Sequence, residues 1–429
     1  MECSNIKARL TVTLPKIFTV VRWIILLLIF GLIELYAFQA FKTVNKDKGF
    51  IISYLVISVA IVGIIFYGFT QFDRSVGQNR MSLFTLGLML VIYVPKMLIG
   101  LVLFGEDLFR VFCAISRYFV DYDSNTPALP ERRKFISQIA LGLAAIPFAS
   151  LIYGIFEGKY NYKVITTKLY FPDLPAAFDG LKITQISDVH SGSFDNAEKI
   201  EYAIDLINQQ ETDLILFTGD IVNTHATEMH PWIDTFKKIK PHKFGKFAVL
   251  GNHDYGEYVS WPSQQEKEKN FSDIKKLYGD IDFKLLLNEH TSINKDGEAL
   301  HIVGVENWGK NFKQAGDLGK AVSGLDRDAF KILMSHDPSH WEYEVKTHPS
   351  NVHLTLSGHT HGLQFGIEIP GFFKWSPVQY VYKQWAGLYE HENRKIYVNR
   401  GFGFHAYPGR VGIWPEISVF ELKKGEKPA

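Results

Sequence analysis

The chain runs to 429 residues with a formal net charge of +1 and only two cysteines. So even a charge balance excludes the basic field that draws proteins to nucleic acid, and no nucleic-acid partner is expected. Cys3 precedes the first apolar segment and Cys113 follows the third, which argues against a structural disulfide and excludes a thiolate metal site; any metal must be held by oxygen and imidazole groups.

Four apolar segments fill the first third, at about 17–38, 50–69, 83–104 and 135–156. At about 20–22 residues, or ~30 Å as a helix, each is long enough to cross a bilayer. Core helices of globular proteins are rarely so long and so uniformly apolar. Residues 1–160 are therefore expected to form an all-α transmembrane region of about four helices, an integral multi-pass membrane segment with the lipid bilayer as its partner. Residues 165–429, of mixed composition, are expected to form one catalytic domain.

Glu34 and Lys96 fall inside the first and third segments. Charges within a bilayer are costly and mark functional sites by default, but these two can also simply pair within the bundle. The loops after the first and third segments carry eight Lys and Arg, against six on the opposite side. The positive-inside rule then makes those loops cytoplasmic and the catalytic domain extracytoplasmic. A polar linker is expected at 121–131.

Beyond residue 165, apolar strands and helices alternate. Strands are expected at 181–187, 213–217, 246–250, 283–294, 299–305, 330–334, 353–356, 395–399 and 411–422, and helices at 196–209, 231–240 and 263–278. Such alternation predicts an open α/β sheet with crossover connections. Ligands of these sheets gather beyond the carboxyl ends of the strands, and five motifs stand there: DVH at 188–190, GD at 219–220, GNHD at 251–254, SHD at 335–337 and GHTH at 358–361.

Each motif alone is a modest signal. A strand-end Asp is most often a turn or cap residue, and a lone His such as His336 is most often structural. Asp188 with His190, and His359 with His361, are i, i+2 pairs whose side chains can meet on one face. Asp220 has two oxygens and can bridge two cations. Asn252 offers a neutral carbonyl oxygen, and His253 is either a ligand or a proton donor. Five such motifs in order, each at a strand end, match the donors of a site holding two metal ions about 3.5–4 Å apart, and point to metal-assisted hydrolysis of a phosphoester. The remaining histidines, His340, His353 and His405 among them, are assigned to surface or packing. The aromatic stretch at 371–389 reads first as a packing layer, and secondly as a cap beside the metals that faces the membrane and admits a lipid-linked substrate.

The order D-x-H, GD, GNH[DE], H, GHxH, complete from Asp188 to His361, resembles the calcineurin-like metallophosphoesterase superfamily. The resemblance implies a four-layer α-β-β-α sandwich. It also implies two divalent metal ions (Mn, Fe or Zn), one held by Asp188, His190, Asp220 and His361, the other by Asp220, Asn252, His336 and His359. His253 would protonate the leaving group, with Asp254 orienting it. The membrane anchor, the RRxF segment, HGxQ at His361 to Gln364, NRG at Asn399 to Gly401 and the closing PEISVFEL are similar to the YkuE/YaeI-type phosphodiesterases. The expectation is a membrane-anchored phosphohydrolase, a phosphodiesterase or pyrophosphatase using metal-activated hydroxide on a lipid-linked or other phosphoester. The alternative is a non-catalytic sensor or a transporter with a regulatory phosphoesterase-like domain. Substrate, metal identity and oligomeric state stay open.

Overall fold

The computed structural model describes residues 2–120 and 130–427; the linker expected at 121–131, save its last two residues, and the side chain of Cys3 lie outside them. The chain divides into two compact units, Met1–Thr70 with Leu88–Ile152, and Gln71–Gly87 with Tyr153–Ala429.

The first unit is built from the helices α1 (Glu2–Val44), α2 (Lys48–Thr70), α3 (Arg80–Val120) and α4 (Pro130–Phe156). Within them Ile24–Val44, Lys48–Thr70, Arg80–Ser116 and Glu131–Phe156 are long and apolar enough to cross a membrane. Large apolar side chains point outward, with Leu28, Val59 and Leu101 each about two-thirds exposed. Water does not solvate such a surface and lipid does, so the chain is a membrane protein with a bilayer around these helices. The unit's interior holds the small residues Ala40, Ala140 and Ala144 beside Ile99 and Leu103, which lets helix backbones approach closely. Lys96 Nζ lies 2.6 Å from Glu34 Oε1, which also accepts from the Tyr93 hydroxyl at 2.9 Å. The two intramembrane charges therefore pair.

The second unit contains the strands β1 (Lys163–Phe171), β2 (Lys182–Ile186), β3 (Leu214–Phe217), β4 (Lys246–Ala248), β5 (Lys284–Leu285), β6 (Glu289–Lys295), β7 (Glu298–Gly304), β8 (Lys331–Met334), β9 (Leu354–Ser357), β10 (Ile367–Ile369), β11 (Phe373–Trp375), β12 (Gly387–His391), β13 (Arg394–Val398) and β14 (Glu416–Lys424). Its main helices are α5 (Ala197–Asn208), α6 (Ile233–Phe236), α7 (Gln264–Asp280), α8 (Leu318–Ala321) and α9 (Pro338–Tyr343).

The strands form two six-stranded sheets, ordered β1-β14-β2-β3-β4-β5 and β12-β13-β9-β8-β7-β6, with β10–β11 as a separate hairpin. The central core lies between the sheets: Ile183, Leu214, Leu216 and Phe420 of one face Ile302, Ile332, Leu354 and Leu356 of the other. Outside the first sheet, Ile200, Ala203, Ile204 and Ile207 of α5 and Ile274, Leu277 and Tyr278 of α7 pack against Ile215 and Phe217. The α5 helix is short enough to be marginal alone; burying its three isoleucines, at roughly 1.5–3 kcal/mol each, holds it in place. Outside the second sheet, Leu318 of α8 and Trp341 of α9 cover Val303, Leu333 and Ile396. These are the four layers of an α-β-β-α sandwich.

The alternation of strands and helices does not reveal that two sheets exist, because each strand's own run of apolar residues is the same either way. The stretch 283–294, expected as one strand, breaks at Leu286–Asn288, where Asn288 has a positive φ of 58°. Its halves, β5 and β6, join different sheets. A strand ahead of those expected, β1, opens the second unit's sheet, and the last strand begins at Glu416 rather than 411. Helix 231–240 shrinks to a 3-10 turn and the four residues of α6.

Candidate metal centre

Strands β2, β3 and β4 run parallel, as do β13, β9, β8 and β7. Their carboxyl ends therefore share one edge in each sheet, and side chains tie the edges together. Gln185 Nε2 donates to the Ser357 carbonyl at 2.9 Å, and His336 Nδ1 to the Thr218 carbonyl at 2.6 Å. All five motifs leave from this edge.

The turns that carry them are strained. Asp188, His190, Asp220, His359 and His361 all have positive φ, between 48° and 71°. Left-handed backbone costs a residue with a Cβ on the order of 1–2 kcal/mol and clusters at functional sites. Here it is held by backbone bonds from Asp188 N to Gly219 O at 2.9 Å, from His190 N to Asp220 O at 3.1 Å and from His359 N to the Asp188 carboxylate at 2.9 Å. Gly358 is required for closeness: a Cβ there would overlap the Asp188 carboxylate and the Ser187 hydroxyl.

The donors form two groups that share Asp220. In the first, His361 Nε2 is 3.2 Å from Asp188 Oδ1 and 3.0 Å from His190 Nε2. In the second, Asn252 Oδ1 is 3.1 Å from His336 Nε2 and 2.7 Å from His359 Nδ1. Asp220 Oδ2 joins them, 3.7 Å from His190 Nε2 and 3.0 Å from His336 Nε2. Two donors that each bind one ion at ~2.1 Å stand ~3.0–3.4 Å apart in octahedral or tetrahedral geometry. Most of these spacings fall in that range or within a few tenths of it, and the residue groups Asp188–His190–His361 and Asp220–His336–His359 could each hold an ion. The donor chemistry, carboxylate, amide oxygen and imidazole, fits divalent metals.

Residues 181–363 match the family model of the calcineurin-like phosphoesterases, and residues 21–159 match one described as a probable calcineurin-like phosphoesterase transmembrane domain. The uncharacterized metallophosphoesterase YkuE of Bacillus subtilis is 33% identical over 253 residues, covering 58% of this chain and 82% of YkuE. The chain belongs to the calcineurin-like phosphoesterases. A transmembrane protein with metallophosphoesterase domain from Danio rerio is 24% identical, covering 64% of this chain and 60% of the relative. YkoQ of Bacillus subtilis is 25% identical, covering 66% of this chain and 99% of its own. Calcineurin-like phosphoesterases bind two divalent metals.

In this member of the family, hydrogen bonds behind the imidazoles set their tautomers. Nδ1 of His190 donates to Asn223 Oδ1 at 3.0 Å, and Nδ1 of His336 to Thr218 O, which leaves each Nε2 lone pair for the site. His359 is reversed: its Nδ1 faces Asn252, and its Nε2 lies 2.8 Å from the Tyr382 hydroxyl and 3.4 Å from Asp337 Oδ2. Behind His361 the pattern differs: the fully buried Arg410 donates from Nη2 to His361 Nδ1 at 3.1 Å and to the Gly403 carbonyl at 2.6 Å, which puts the ring's proton on Nε2, so a cation on that nitrogen would have to displace it.

Burial opposes charge throughout, and the neighbours decide the outcome. His336 would be neutral by burial alone, but Asp220 and Asp188 push it up to about 10. Burial raises Asp220, yet His336 and His253 hold it well below the ordinary carboxylate range. Burial, then His253 and His361, keep His190 neutral. A cation held by the second group would compete with the His336 proton.

Asp254 does not orient His253. Its carboxylate accepts from the backbone N–H of Gly251 at 2.9 Å, Asp220 at 3.1 Å and Ile221 at 3.1 Å, and from the Tyr278 hydroxyl at 2.9 Å. His253 Nδ1 instead donates to the Asn223 carbonyl at 2.7 Å. The two residues are adjacent in a 3-10 turn, His253–Tyr255, where successive side chains point about 120° apart. Asp254 braces the loop of Asp220.

His405, assigned to surface or packing, packs against two imidazoles of the candidate site. Its ring centroid lies 4.6 Å from His253 and 5.0 Å from His190. It follows β13, parallel to β9, so its loop reaches the same edge; that strand-end position is the signal that could have found it. The aromatic stretch divides. Val378, Trp385 and Ala386 pack in a small core with Ile413, Tyr382 reaches His359, and Phe372, Phe373 and Tyr380 are exposed.

Proposed function

We propose that this protein is a membrane-anchored phosphohydrolase, a phosphodiesterase or pyrophosphatase whose substrate is a lipid-linked or otherwise amphiphilic phosphoester. The catalytic domain is residues 165–429, on the extracytoplasmic side. Asp188, His190, Asp220 and His361 would hold one metal, and Asp220, Asn252, His336 and His359 the other; Mn, Fe and Zn all suit these donors. The observation that carries this reading is the position of Asp220, within 3.7 Å of one donor group and 3.0 Å of the other.

Two divalent cations held there would polarise the phosphoryl oxygens and bring the pKa of water toward neutrality. His253 supplies the proton for the leaving oxygen: with Nδ1–H committed to Asn223 O, Nε2 is the nitrogen left to carry it. The left-handed turns and the Asp254 brace hold the donors in place before substrate arrives, so little reorganisation accompanies the reaction.

The test is metal content and hydrolysis of bis-p-nitrophenyl phosphate and p-nitrophenyl phosphate by the full chain in nanodiscs. Bound metal with diester hydrolysis, both lost in Asp220→Ala, is expected. A protein that binds no metal and hydrolyses neither compound would be the non-catalytic sensor instead. Protease protection in intact spheroplasts tests the side: the domain should be cleaved.

A further inference from the structure

Hairpin β10–β11 is amphipathic in the sense opposite to that of a water-soluble domain. Its register pairs Ile367 with Trp375, Glu368 with Lys374 and Ile369 with Phe373. Alternate residues of a strand point to opposite faces, and here the polar face is the one turned into the protein. Glu368 accepts from Arg400 Nε at 2.8 Å, and Lys374 Nζ reaches the Ala386 carbonyl and the Tyr389 hydroxyl at 3.1 Å. The apolar face is left outside, with Ile367, Ile369 and Phe373 each about half exposed, and Phe372 at the tip is 86% exposed. The turn is closed by a hydrogen bond: Phe372 N donates to Ile369 O at 3.0 Å, and Gly371 after Pro370 has φ of +74°, the signature of a type II turn. Phe372 therefore stands at the tip of a defined turn.

The root of the hairpin indicates what covers this face. Gly366 N donates to Val411 O at 2.9 Å, Val411 N to Gln364 O at 2.8 Å, and the adjoining Arg410 N to Gly154 O at 3.1 Å. Tyr153 also meets Trp414 edge to face. Residues 153–156 are the last turn of α4, where a segment long and apolar enough to cross a membrane ends. The hairpin thus springs from beside the end of that segment. Its far side continues into Tyr382, bonded to His359 of the metal centre, and Trp385, whose carbonyl accepts from Thr360 Oγ1 at 2.7 Å.

We propose that the apolar face of β10–β11, with Phe372 at its tip, inserts into the bilayer surface and brings the metal centre to headgroup depth, so that the substrate is an amphiphile whose phosphoester is taken while its chains stay in the membrane. The second half of this proposal rests on the phosphohydrolase reading; the insertion itself does not. Aromatic and aliphatic side chains at the interface are the usual means of such anchoring.

A cysteine-free full chain in phosphatidylcholine and phosphatidylglycerol nanodiscs, with a nitroxide at Phe372→Cys, tests insertion. A label at Lys276→Cys, exposed on α7, is the aqueous control. The Phe372 label should be reached by oxygen and shielded from a water-soluble nickel chelate; equal nickel access at both sites overturns the proposal. The double variant Phe372→Ser with Phe373→Ser removes only exposed rings. It should lower turnover of hexadecyl p-nitrophenyl phosphate in vesicles by about tenfold or more and leave bis-p-nitrophenyl phosphate hydrolysis in water unchanged; an equal effect on both, or on neither, overturns the delivery step. If the unaltered protein hydrolyses neither compound, the phosphohydrolase reading falls while the nitroxide measurement still decides insertion.

Discussion

Gln78 donates from Nε2 to Ser193 Oγ at 2.9 Å, across a sequence separation of 115 residues. Its Oε1 also accepts from Ala406 N at 2.6 Å. Ser193 in turn receives the Asn223 amide at 3.1 Å, and Asn223 Oδ1 holds His190 Nδ1 at 3.0 Å. Ala406 follows His405, whose ring packs on His190 and His253. The segment between α2 and α3 is thus built into the catalytic unit, where one amide links the loops behind two histidines.

Gln78→Ala should therefore weaken the site and not just the fold. Removing both bonds costs about 1–2 kcal/mol of stability, but the larger effect is expected on retained metal and kcat, because His190 loses its backing. Metal content after dialysis against a weak chelator, together with kcat and KM, measures this. A variant with lower melting temperature and unaltered metal and kcat would make Gln78 merely structural.

Asp254→Asn separates two roles. An Asp254 that oriented His253 would, on substitution, slow turnover and leave the metals bound. The observed brace on the N–H groups of Gly251, Asp220 and Ile221 predicts otherwise: an Asn amide nitrogen cannot accept from them, and leaving buried donors unpaired costs about 1–3 kcal/mol each. Metal binding should fall first, with kcat recovering at saturating metal. Burial and the Asp220 charge raise the Asp254 carboxyl to about 7, so its bracing strengthens as pH rises through neutrality.

The convergence of the carboxylate, amide and imidazole groups was legible because each follows an apolar strand at a parallel edge, and because Asp188 with His190 and His359 with His361 keep the i, i+2 spacing. What lay behind them was not. Arg410 and Asn223 act through bonds to His361 and His190 that no spacing predicts. The partner of Asp254 was misread because adjacency in sequence suggests contact, while a 3-10 turn directs neighbours apart. The hairpin shows the same limit: Ile-Glu-Ile and Phe-Lys-Trp announce a period of two, but periodicity alone does not say which face meets the protein. That depended on Arg400, far along the chain.

His253→Ala should leave the metals in place and lower kcat by about 10²–10⁴-fold for a poor leaving group. The loss should shrink for p-nitrophenolate, which departs without a proton. His253 N, a backbone donor to Asp220 Oδ1 at 2.8 Å, survives the substitution, so Asp220 stays positioned. Comparing an alkyl with a nitrophenyl diester provides the measurement; equal losses on both would remove His253 from the role of acid.

Within the membrane, Lys96→Met leaves Glu34 without its ion-pair partner among apolar helices. Breaking one partner of a buried pair costs about 3–5 kcal/mol. The double variant Glu34→Gln with Lys96→Met carries no charge and keeps an amide for the Tyr93 hydroxyl now on Glu34, so it should recover most of that loss. Unfolding in mixed detergent micelles reads both. A double variant no more stable than the single one would point to a role for the charges beyond pairing.

Acid should unfold the catalytic unit in part through His353. Its ring is buried, stacked on Phe330 at 4.3 Å, and its Nδ1 accepts from Lys331 N at 3.2 Å. Burial lowers it to about 4, with Lys331 and Arg394 adding to the effect and Asp173 opposing it. Its ordinary value near 6.5 holds in the unfolded chain, so between about 6.5 and 4 the unfolded state binds the extra proton. Stability is then complete above 6.5 and declines as pH falls toward 4, by on the order of 3 kcal/mol for this one group. His353→Asn keeps an acceptor for Lys331 N and does not titrate. The drop in melting temperature from pH 7 to pH 4.5 should be smaller in the variant than in the unaltered chain, and equal drops would assign the acid sensitivity elsewhere.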